Sequence, residues 1–582
     1  VTKVAKNKPV PRPEHPRPQF QRSTWANLNG SWAFAQDPGR SGEHRGLPEG
    51  RNFDQEIMVP FVPESKLSGI GNKDFMPCVW YACRLAITNG WTTHRTLLHF
   101  GAVDYDATLW VNGELVGTHR GGYSSFSFEI TKYLQPGDNL LVVRAEDDTR
   151  DTLIPSGKQS DKYDSYGCFY TRSTGIWQTV WMEAVSETYI KSVKYYPDIT
   201  NGRIGITAQI DGDTCDYTLL VKVYAGKKVV GEAQWAAAKD LRFDIDLETV
   251  ELWEPGNPFL YDVEFALIKN EEIVDYATSY FGLREIDIKG YAVRLNGRPV
   301  FQRLVLDQGF YPDGIYTAPT DKALKKDIEI SMAMGFNGAR LHEKVFEERF
   351  LYWADKLGYL VWGEYPNWGL DHTDPRCLER VLPEWTEVLN RDFNHPAIVG
   401  WCPYNETIPN QDKDIVRVVY QMTKQMDPTR PVIDTSGYFH VITDIYDSHN
   451  YEQDPAVFKA TFDKFMKNDK DAFTNGPGYQ NPYEGGPYFV SEYGGIWWNP
   501  GQKDKKSWGY GNRPRTEKEF IERYRGLTET LLFHKKMMGF CYTQLYDVEQ
   551  EVNGLYSYSR KPKFDPGIIR KINSQKAAIE EE

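Results

Sequence analysis

The pattern of apolar and polar positions changes character after Phe281-Gly282-Leu283-Arg284. Before that point apolar residues fall in short runs, some alternating with a period of two, separated by turn residues; this is the spacing of β-strands. Residues 106–111 read as a strand, Asn112-Gly113 as a tight hairpin turn and 114–118 as the return strand. Pro136-Gly137-Asp138 is a turn ahead of the apolar strand 139–145. Residues 192–197, 217–224 and 260–267 read as further strands. Short strands with turn punctuation predict a jelly-roll sandwich over 1–185 and an immunoglobulin-like sandwich over 186–284.

Beyond residue 284 the period lengthens. Residues 321–334 and 347–357 have a helical pattern, while 337–342 and 359–364 are short, strand-like runs. Helices alternating with buried strands over about 290 residues predict a (β/α)8 barrel over 285–582. In such a barrel the polar residues just past the strands' C-terminal ends face the site. Two apolar runs end in glutamate: 397–406, closing on Asn405-Glu406, and 488–492, which delivers Glu492 ahead of Tyr493-Gly494-Gly495. Two carboxylates brought to one cavity are what glycosidic-bond cleavage requires, one to protonate the leaving oxygen and one to attack carbon.

The chain has 81 acidic residues, so composition alone selects none, and a glutamate taken at random is most often solvated or salt-bridged. The strand-end position singles out Glu406 and Glu492. Glu364, after Val361-Trp362-Gly363, is the best competitor and is expected to line or pack the site. His342 follows a strand and is expected to meet sugar. His395, before Pro396, is expected to be structural. His449-Asn450-Tyr451 stands evenly between facing substrate and packing. No His-x-x-x-His or Glu-x-His spacing and no phosphate-binding glycine loop occurs, so neither a metal nor a cofactor is expected.

Composition adds limits. A net charge of −13 over 582 residues disfavours nucleic acid or an anionic membrane as main partner. No apolar run approaches the roughly eighteen residues of a membrane span. The seven cysteines form no disulfide or zinc pattern and read as free thiols. Aromatic residues make up 14 % of the chain, with 17 Trp and 36 Tyr, which suits stacking on sugar faces and a β-rich fold equally. The chain starts at Val1, so a removed leader stays open, and with it a cytoplasmic, periplasmic or secreted location for a soluble protein. A homo-oligomer also stays open.

These motifs together resemble glycoside hydrolase family 2. Trp110-Val111-Asn112-Gly113 with Gly121-Gly122-Tyr123-Ser124-Ser125-Phe126 is similar to that family's jelly-roll sugar-binding domain. Arg172-Ser173-Thr174-Gly175-Ile176-Trp177 resembles its Arg-x-x-Gly-Ile segment, and Leu295-Asn296-Gly297-Arg298-Pro299 the approach to its barrel. Asn394-His395-Pro396 through Asn405-Glu406 is similar to its acid/base motif, and Ser491-Glu492-Tyr493-Gly494 to its nucleophile motif. The resemblance implies Glu406 as acid/base and Glu492 as nucleophile, Asn405 on the sugar 2-hydroxyl, and Arg340 beside Glu492. Asp307, His342, His449, Tyr451, Trp498 and Gln544 are expected to contact substrate. Trp497 or Trp498 is expected to stack on sugar, with Tyr542 and Asp547 closing the site and 472–486 forming a mobile loop before the nucleophile strand.

The departures concern the sugar. Asp307-Gln308 stands where galactosidases and glucuronidases of the family carry Arg-His, and Phe169 where they carry Asp. Glu551-Val552-Asn553 lacks the lysine with which glucuronidases grip a carboxylate, leaving Arg303 or Arg172 as substitutes. The galactosidase Glu-x-His metal site is not evident. The expectation is a retaining exo-β-glycosidase acting on oligosaccharides, polysaccharides or glycoconjugates, best described as β-galactosidase-like. The alternatives are a β-glucuronidase, β-galacturonidase, arabinosidase or mannosidase, a transglycosylase, and a carbohydrate-binding protein without catalysis.

Overall fold

In the computed structural model, which describes residues 9–88, 91, 94–501 and 506–581, the β-rich part forms two sandwiches. The first packs a six-stranded antiparallel sheet (Gln55–Val59, Gly30–Gln36, Cys78–Ile87, Gly137–Glu146, Asp106–Val111, Glu114–Arg120) on a four-stranded one (Phe126–Glu129, Arg95–Phe100, Val180–Val185, Trp25–Asn27). Trp32, Phe34, Tyr81, Leu98, Val143 and Met182 are among the residues of its core. The Asn112-Gly113 hairpin forms as its residue types require: both residues have positive φ, 52° and 81°, which matches the twist of the flanking strands.

The second sandwich pairs a five-stranded sheet with a three-stranded one (Tyr189–Asp198, Arg203–Asp211, Asp240–Asp246). Its five-stranded sheet includes Tyr217–Ala225, Tyr261–Lys269 and Glu272–Phe281. Its edge is completed by Phe20–Gln21, opposite Thr278 and Ser279, so the N-terminal segment crosses from the first sandwich to the second.

The barrel strands are β1 (Gln302–Asp307), β2 (Gly338–Leu341), β3 (Leu360–Glu364), β4 (Ile398–Cys402), β5 (Thr435–Ser436), β6 (Tyr446–Asn450), β7 (Tyr488–Gly494) and β8 (Met537–Thr543). Seven of them run parallel in the order β4-β3-β2-β1-β8-β7-β6. β5 joins β4 through Trp401, whose N–H donates to Pro431 and whose carbonyl accepts from Ile433, each at 3.0 Å. On its other side Asp444 N–H donates to Val432 O at 3.0 Å and Ser436 Oγ to Asp447 at 2.6 Å, which closes the ring. Every residue of β7 and β8 is buried, as expected of strands covered on both faces.

The helices are α1 (Asp321–Ala333), α2 (Glu348–Leu357), α3 (Leu378–Asp392), α4 (Lys413–Met426), α5 (Pro455–Lys467), α6 (Glu517–Leu532) and α7 (Pro566–Asn573); β5 leads to β6 without one. Thr320, Asp412, Asp454, Thr516 and Asp565 cap α1, α4, α5, α6 and α7 by accepting a first-turn N–H. Among the described residues no helix is long and apolar enough to cross a membrane.

Candidate active site

Arg340, at the end of β2, organises the barrel mouth. It is 1 % exposed, and its guanidinium reaches three strand ends. Nε donates to Glu364 of β3 at 2.6 Å, one terminal nitrogen to Glu492 of β7 at 3.0 Å, and the other to Asn405 Oδ1 at 2.6 Å. A planar fork with fixed donors holds three acceptors in set directions, which a lysine point charge would not. His342 lies 3.2 Å from the guanidinium and 2.9 Å from the second Glu364 oxygen.

Asn405 and Glu406 extend beyond β4, where Tyr404–Asn405 pairs with β5. Glu406 has φ 43°, the left-handed region that side chains avoid, and its N–H is fixed to Ser436 O at 3.0 Å. Such backbone persists only where surrounding contacts impose it. The Glu406 side chain keeps 25 % exposure, unlike Glu492 at 6 %. His449 of β6 stands between the two, its Nδ1 2.6 Å from Glu406 and 3.5 Å from Glu492. Tyr451 donates to the second oxygen of Glu492 at 2.5 Å. One donor atom each of Glu406, His449 and Glu492 lie within 4.8 Å of one another. That set would also suit a divalent ion, but the Arg340 charge on Glu492 opposes a second cation there.

The charges separate the two glutamates. Burial alone would raise the Glu492 carboxyl, yet His449, Arg340, His342 and Lys158 outweigh it and hold the group well below the ordinary carboxylate range. Burial likewise disfavours charge on His449, but the attraction of Glu492 and the bond to Glu406 raise its pKa. Glu364 is pushed up by burial and pulled lower still by Arg340 and His342. Glu492 is therefore an ionised oxygen pair in a cationic cage, while Glu406 faces the open side.

Asn405 has a further property. Its backbone is clamped by Asn367, at 2.7 Å to its N–H and 3.0 Å from its carbonyl, while its side-chain NH2 is buried with no partner. A buried orphan donor is costly and is normally met by something the site binds.

The structure thus brings Glu406, Glu492, Asn405, Arg340, His342, His449 and Tyr451 together. Gln544 lies one step away, accepting from Gln308 at 2.7 Å and donating to Asn553 at 2.8 Å. Asp307 is turned into the wall: one oxygen accepts from Gly309 N–H at 2.9 Å and from Tyr546 OH at 2.5 Å, and burial raises its pKa to about 6. Its neighbour Gln308 points to the mouth instead, donating to Tyr170 OH at 2.8 Å. Trp498 packs its ring on Phe520, 5.9 Å between centroids, and Arg513 covers Trp497 at 4.0 Å. Tyr542 packs on Tyr493 and Tyr524, and Asp547 holds Lys563 at 2.5 Å. His395 bonds buried Asp355 at 2.6 Å. Residues 472–486 hold neither helix nor strand, and Asn475 from this stretch donates to the His449 carbonyl at 2.7 Å. Arg303 is engaged at the far end of β1 with Glu580, and Arg172 with backbone carbonyls of its own sandwich, so neither offers a cation to the mouth.

Sequence reading missed several residues that line the mouth. Tyr510 stacks on Tyr451 with centroids 3.5 Å apart. Tyr438 packs edge-on to His449, and burial and the two glutamates push its hydroxyl up to about 12. Trp368 donates its indole N–H to the Asn405 carbonyl at 3.3 Å. Tyr170 of the first sandwich donates to Glu551, and Lys158 lies over Trp368. All come from loops, where no periodicity marks them.

A sandwich pair leading to a barrel that gathers glutamates and an arginine at its C-terminal mouth defines a multidomain protein of the glycosyl hydrolase class. Three family models match: the sugar binding domain of glycosyl hydrolases family 2 over 64–178, a further family 2 model over 188–284, and the family 2 TIM barrel domain over 317–563. The chain belongs to glycosyl hydrolase family 2. Among curated relatives, a beta-galactosidase of Thermoanaerobacter pseudethanolicus is 28 % identical over 373 residues, covering 62 % of this chain and 48 % of that protein. A putative beta-glucuronidase of Formosa agariphila is 26 % identical over 444 residues, 72 % of this chain and 50 % of that one. The chain spans about half the length of these two relatives. Among solved structures, a β-glucuronidase from Ruminococcus gnavus in complex with D-glucuronic acid superposes with a TM-score of 0.79 at 19 % identity, over 96 % of this chain and 99 % of that one. At that identity the likeness establishes the fold.

Proposed function

We propose that the protein is a retaining exo-β-glycosidase in which Glu492 is the nucleophile and Glu406 the general acid/base. The observation that carries this is the spacing of the two carboxylates, with an oxygen of each inside 4.8 Å. Retaining enzymes hold the pair at roughly 5–5.5 Å so that one can attack carbon directly, whereas inverting enzymes leave about 6.5–9.5 Å for a water. Glu492, kept ionised by Arg340 and its neighbours, attacks the anomeric carbon while Glu406 gives a proton to the leaving oxygen. Glu406 then takes a proton from the water that releases the sugar from Glu492, and both groups return to their starting states. Asn405, with its free NH2, suits the 2-hydroxyl, where a hydrogen bond strengthens as positive charge develops on the ring. A mouth covered by the 154–172 segment of the first sandwich favours attack at a chain end.

Relatives named β-galactosidase and β-glucuronidase support a galactoside and a glucuronide equally as substrate. A carbohydrate-binding protein without catalysis would have no need of an ionised glutamate caged beside a second, open one.

The test is a panel of aryl β-glycosides with the wild type, Glu492→Ala and Glu406→Ala. Glu492→Ala is expected to lose at least about 1,000-fold in kcat on every substrate. Glu406→Ala is expected to lose about 100- to 10,000-fold on poor leaving groups and far less on dinitrophenyl glycosides, which need no protonation. Full activity in both variants would rule the assignment out.

A further inference from the structure

Lys158 belongs to the first sandwich yet lies over the barrel mouth. Its carbonyl accepts from Tyr170 N–H at 2.8 Å, and Ser156 and Gly157 both donate to the Trp368 carbonyl, at 2.9 and 3.0 Å. Gly157 has φ +55°, and a Cβ there would come within 2.4 Å of the Glu343 carbonyl oxygen, so only glycine lets this segment seat so closely on the barrel. Lys158 is thus delivered by backbone tied on two sides.

The ammonium itself is left unanswered. The residue is 6 % exposed, and Nζ lies 3.6 Å from the centroid of the Trp368 ring. Among the described residues no carboxylate is within ion-pair distance of Nζ and no acceptor within hydrogen-bond distance. The stem is buried while the ammonium reaches the open mouth with no fixed acceptor, and an aromatic face supplies only part of what a charge-bearing partner would. The nearby acids are engaged elsewhere: Glu551 accepts from Tyr170 and, at 2.9 Å, from Asn553, and Glu343 accepts from Trp368 N–H at 3.1 Å. Burial raises both of these carboxyls toward the neutral form. Arg340 is already balanced by Glu364 and Glu492. Cys168, Glu406, Glu551 and Glu343 lie near enough to outweigh burial and keep the ammonium charged, but none touches it, so a cation without a direct partner remains at the mouth, a single aromatic ring away from Asn405.

We infer that Lys158 binds a carboxylate carried by the sugar, which makes the substrate a β-linked uronic acid and Lys158 the residue that selects it. The inference rests on the reading of the Glu406–Glu492 pocket as a glycosidase site. It places the selecting cation on the first sandwich, outside the barrel sequence altogether.

The test compares nitrophenyl β-glucuronide and β-galacturonide with the matching glucoside and galactoside, using wild type, Lys158→Met and Lys158→Arg. Methionine keeps the contact with Trp368 and removes the charge; equal thermal unfolding midpoints verify folding. One uronide is expected to exceed its neutral counterpart in kcat/KM by at least about 100-fold in the wild type. Lys158→Met should lose that advantage chiefly through KM, any smaller loss on the neutral sugar reflecting its share in holding Glu492 ionised, and Lys158→Arg should retain part of the preference. Binding of free D-glucuronate and D-galacturonate, measured by calorimetry beside D-glucose and D-galactose, gives a readout that needs no turnover. Hydrolysis of neutral glycosides alone, or an equal loss on both classes in Lys158→Met, overturns the inference and leaves the glycosidase reading standing. Uronate binding that depends on Lys158 without cleavage of any glycoside would do the reverse. Absence of uronate binding overturns the inference whatever the turnover.

Discussion

At the scale of single residues the site is an arrangement of opposed tendencies. Glu492 is buried, which favours its neutral form, and ringed by cations, which favour its anion; the cations win. A carboxylate with a depressed pKa contributes stability that is present above its unfolded value, about 4.3, and is lost as pH falls through the folded value. Glu492 should accordingly remain ionised throughout the working pH range, and the acid limb of kcat/KM should lie below the ordinary glutamate value. Arg340→Met removes one of the cations and leaves Glu492 and Glu364 facing each other. We expect its acid limb to move to higher pH and kcat/KM to fall at least about 100-fold, or ~2.7 kcal/mol; pH–rate profiles of the two proteins check this. An unmoved limb would mean that Arg340 does not set the Glu492 charge. Glu406 and Glu492 were legible in the sequence because each ends an apolar strand run, and a barrel turns that position into a direction; Arg340 was expected beside Glu492 from the family resemblance alone. Asp307, Gln544 and Trp498 share the neighbourhood but not the direction: Tyr546 takes Asp307, Gln308 and Asn553 take Gln544, and Phe520 takes the Trp498 ring.

Elements were the easiest scale to read. The strand 106–111, the helix 321–334 and the strand 359–364 appear within a residue of their expected limits, because hydrophobic period and turn residues are local signals. The short β5, two residues joined to β4 beyond a bulky run, and its helix-free passage to β6 carry no such signal. The docking of elements from different domains is equally silent in sequence. Glu384 on α3 is buried and bridges domains, accepting from Tyr123 N–H of the first sandwich at 2.8 Å and from Tyr365 OH at 2.7 Å. Burial raises its pKa from 4.5 to about 7. For an acid raised in the folded state the sign is the reverse of that for Glu492. Stability is greatest below 4.5, where both states are protonated, falls as pH rises to about 7 and stays lower above. Glu384→Gln mimics the protonated acid, since its amide can still accept from Tyr123 and can donate to Tyr365. Thermal unfolding across pH should show the variant equal to wild type near pH 4 and more stable at pH 8. A variant less stable than wild type at pH 8 would contradict this.

Across the whole molecule, the sandwich-and-barrel order was readable from the change in hydrophobic period, and the site's covering was not. The mouth is finished by a segment that folds as part of the first sandwich: Tyr170 reaches Glu551, Phe169 lies 5.3 Å from Trp368, and Trp508 of the barrel returns a bond to Gly167 O at 2.6 Å. Those contacts join residues more than 150 positions apart in loops of irregular backbone, where a single sequence offers no pairing rule. The chemistry we propose is placed at barrel strand ends, and the sugar selection we infer in what the sandwich lays over them. The most direct test of the account is to trap the intermediate. The protein is incubated with the 2-deoxy-2-fluoro fluoride of whichever sugar it hydrolyses, and the digested adduct is mapped by mass spectrometry. One sugar per chain, attached to the peptide carrying Glu492, is the predicted result; a sugar on another residue, or full turnover with no covalent species at all, would contradict the double displacement and the role given to Glu492.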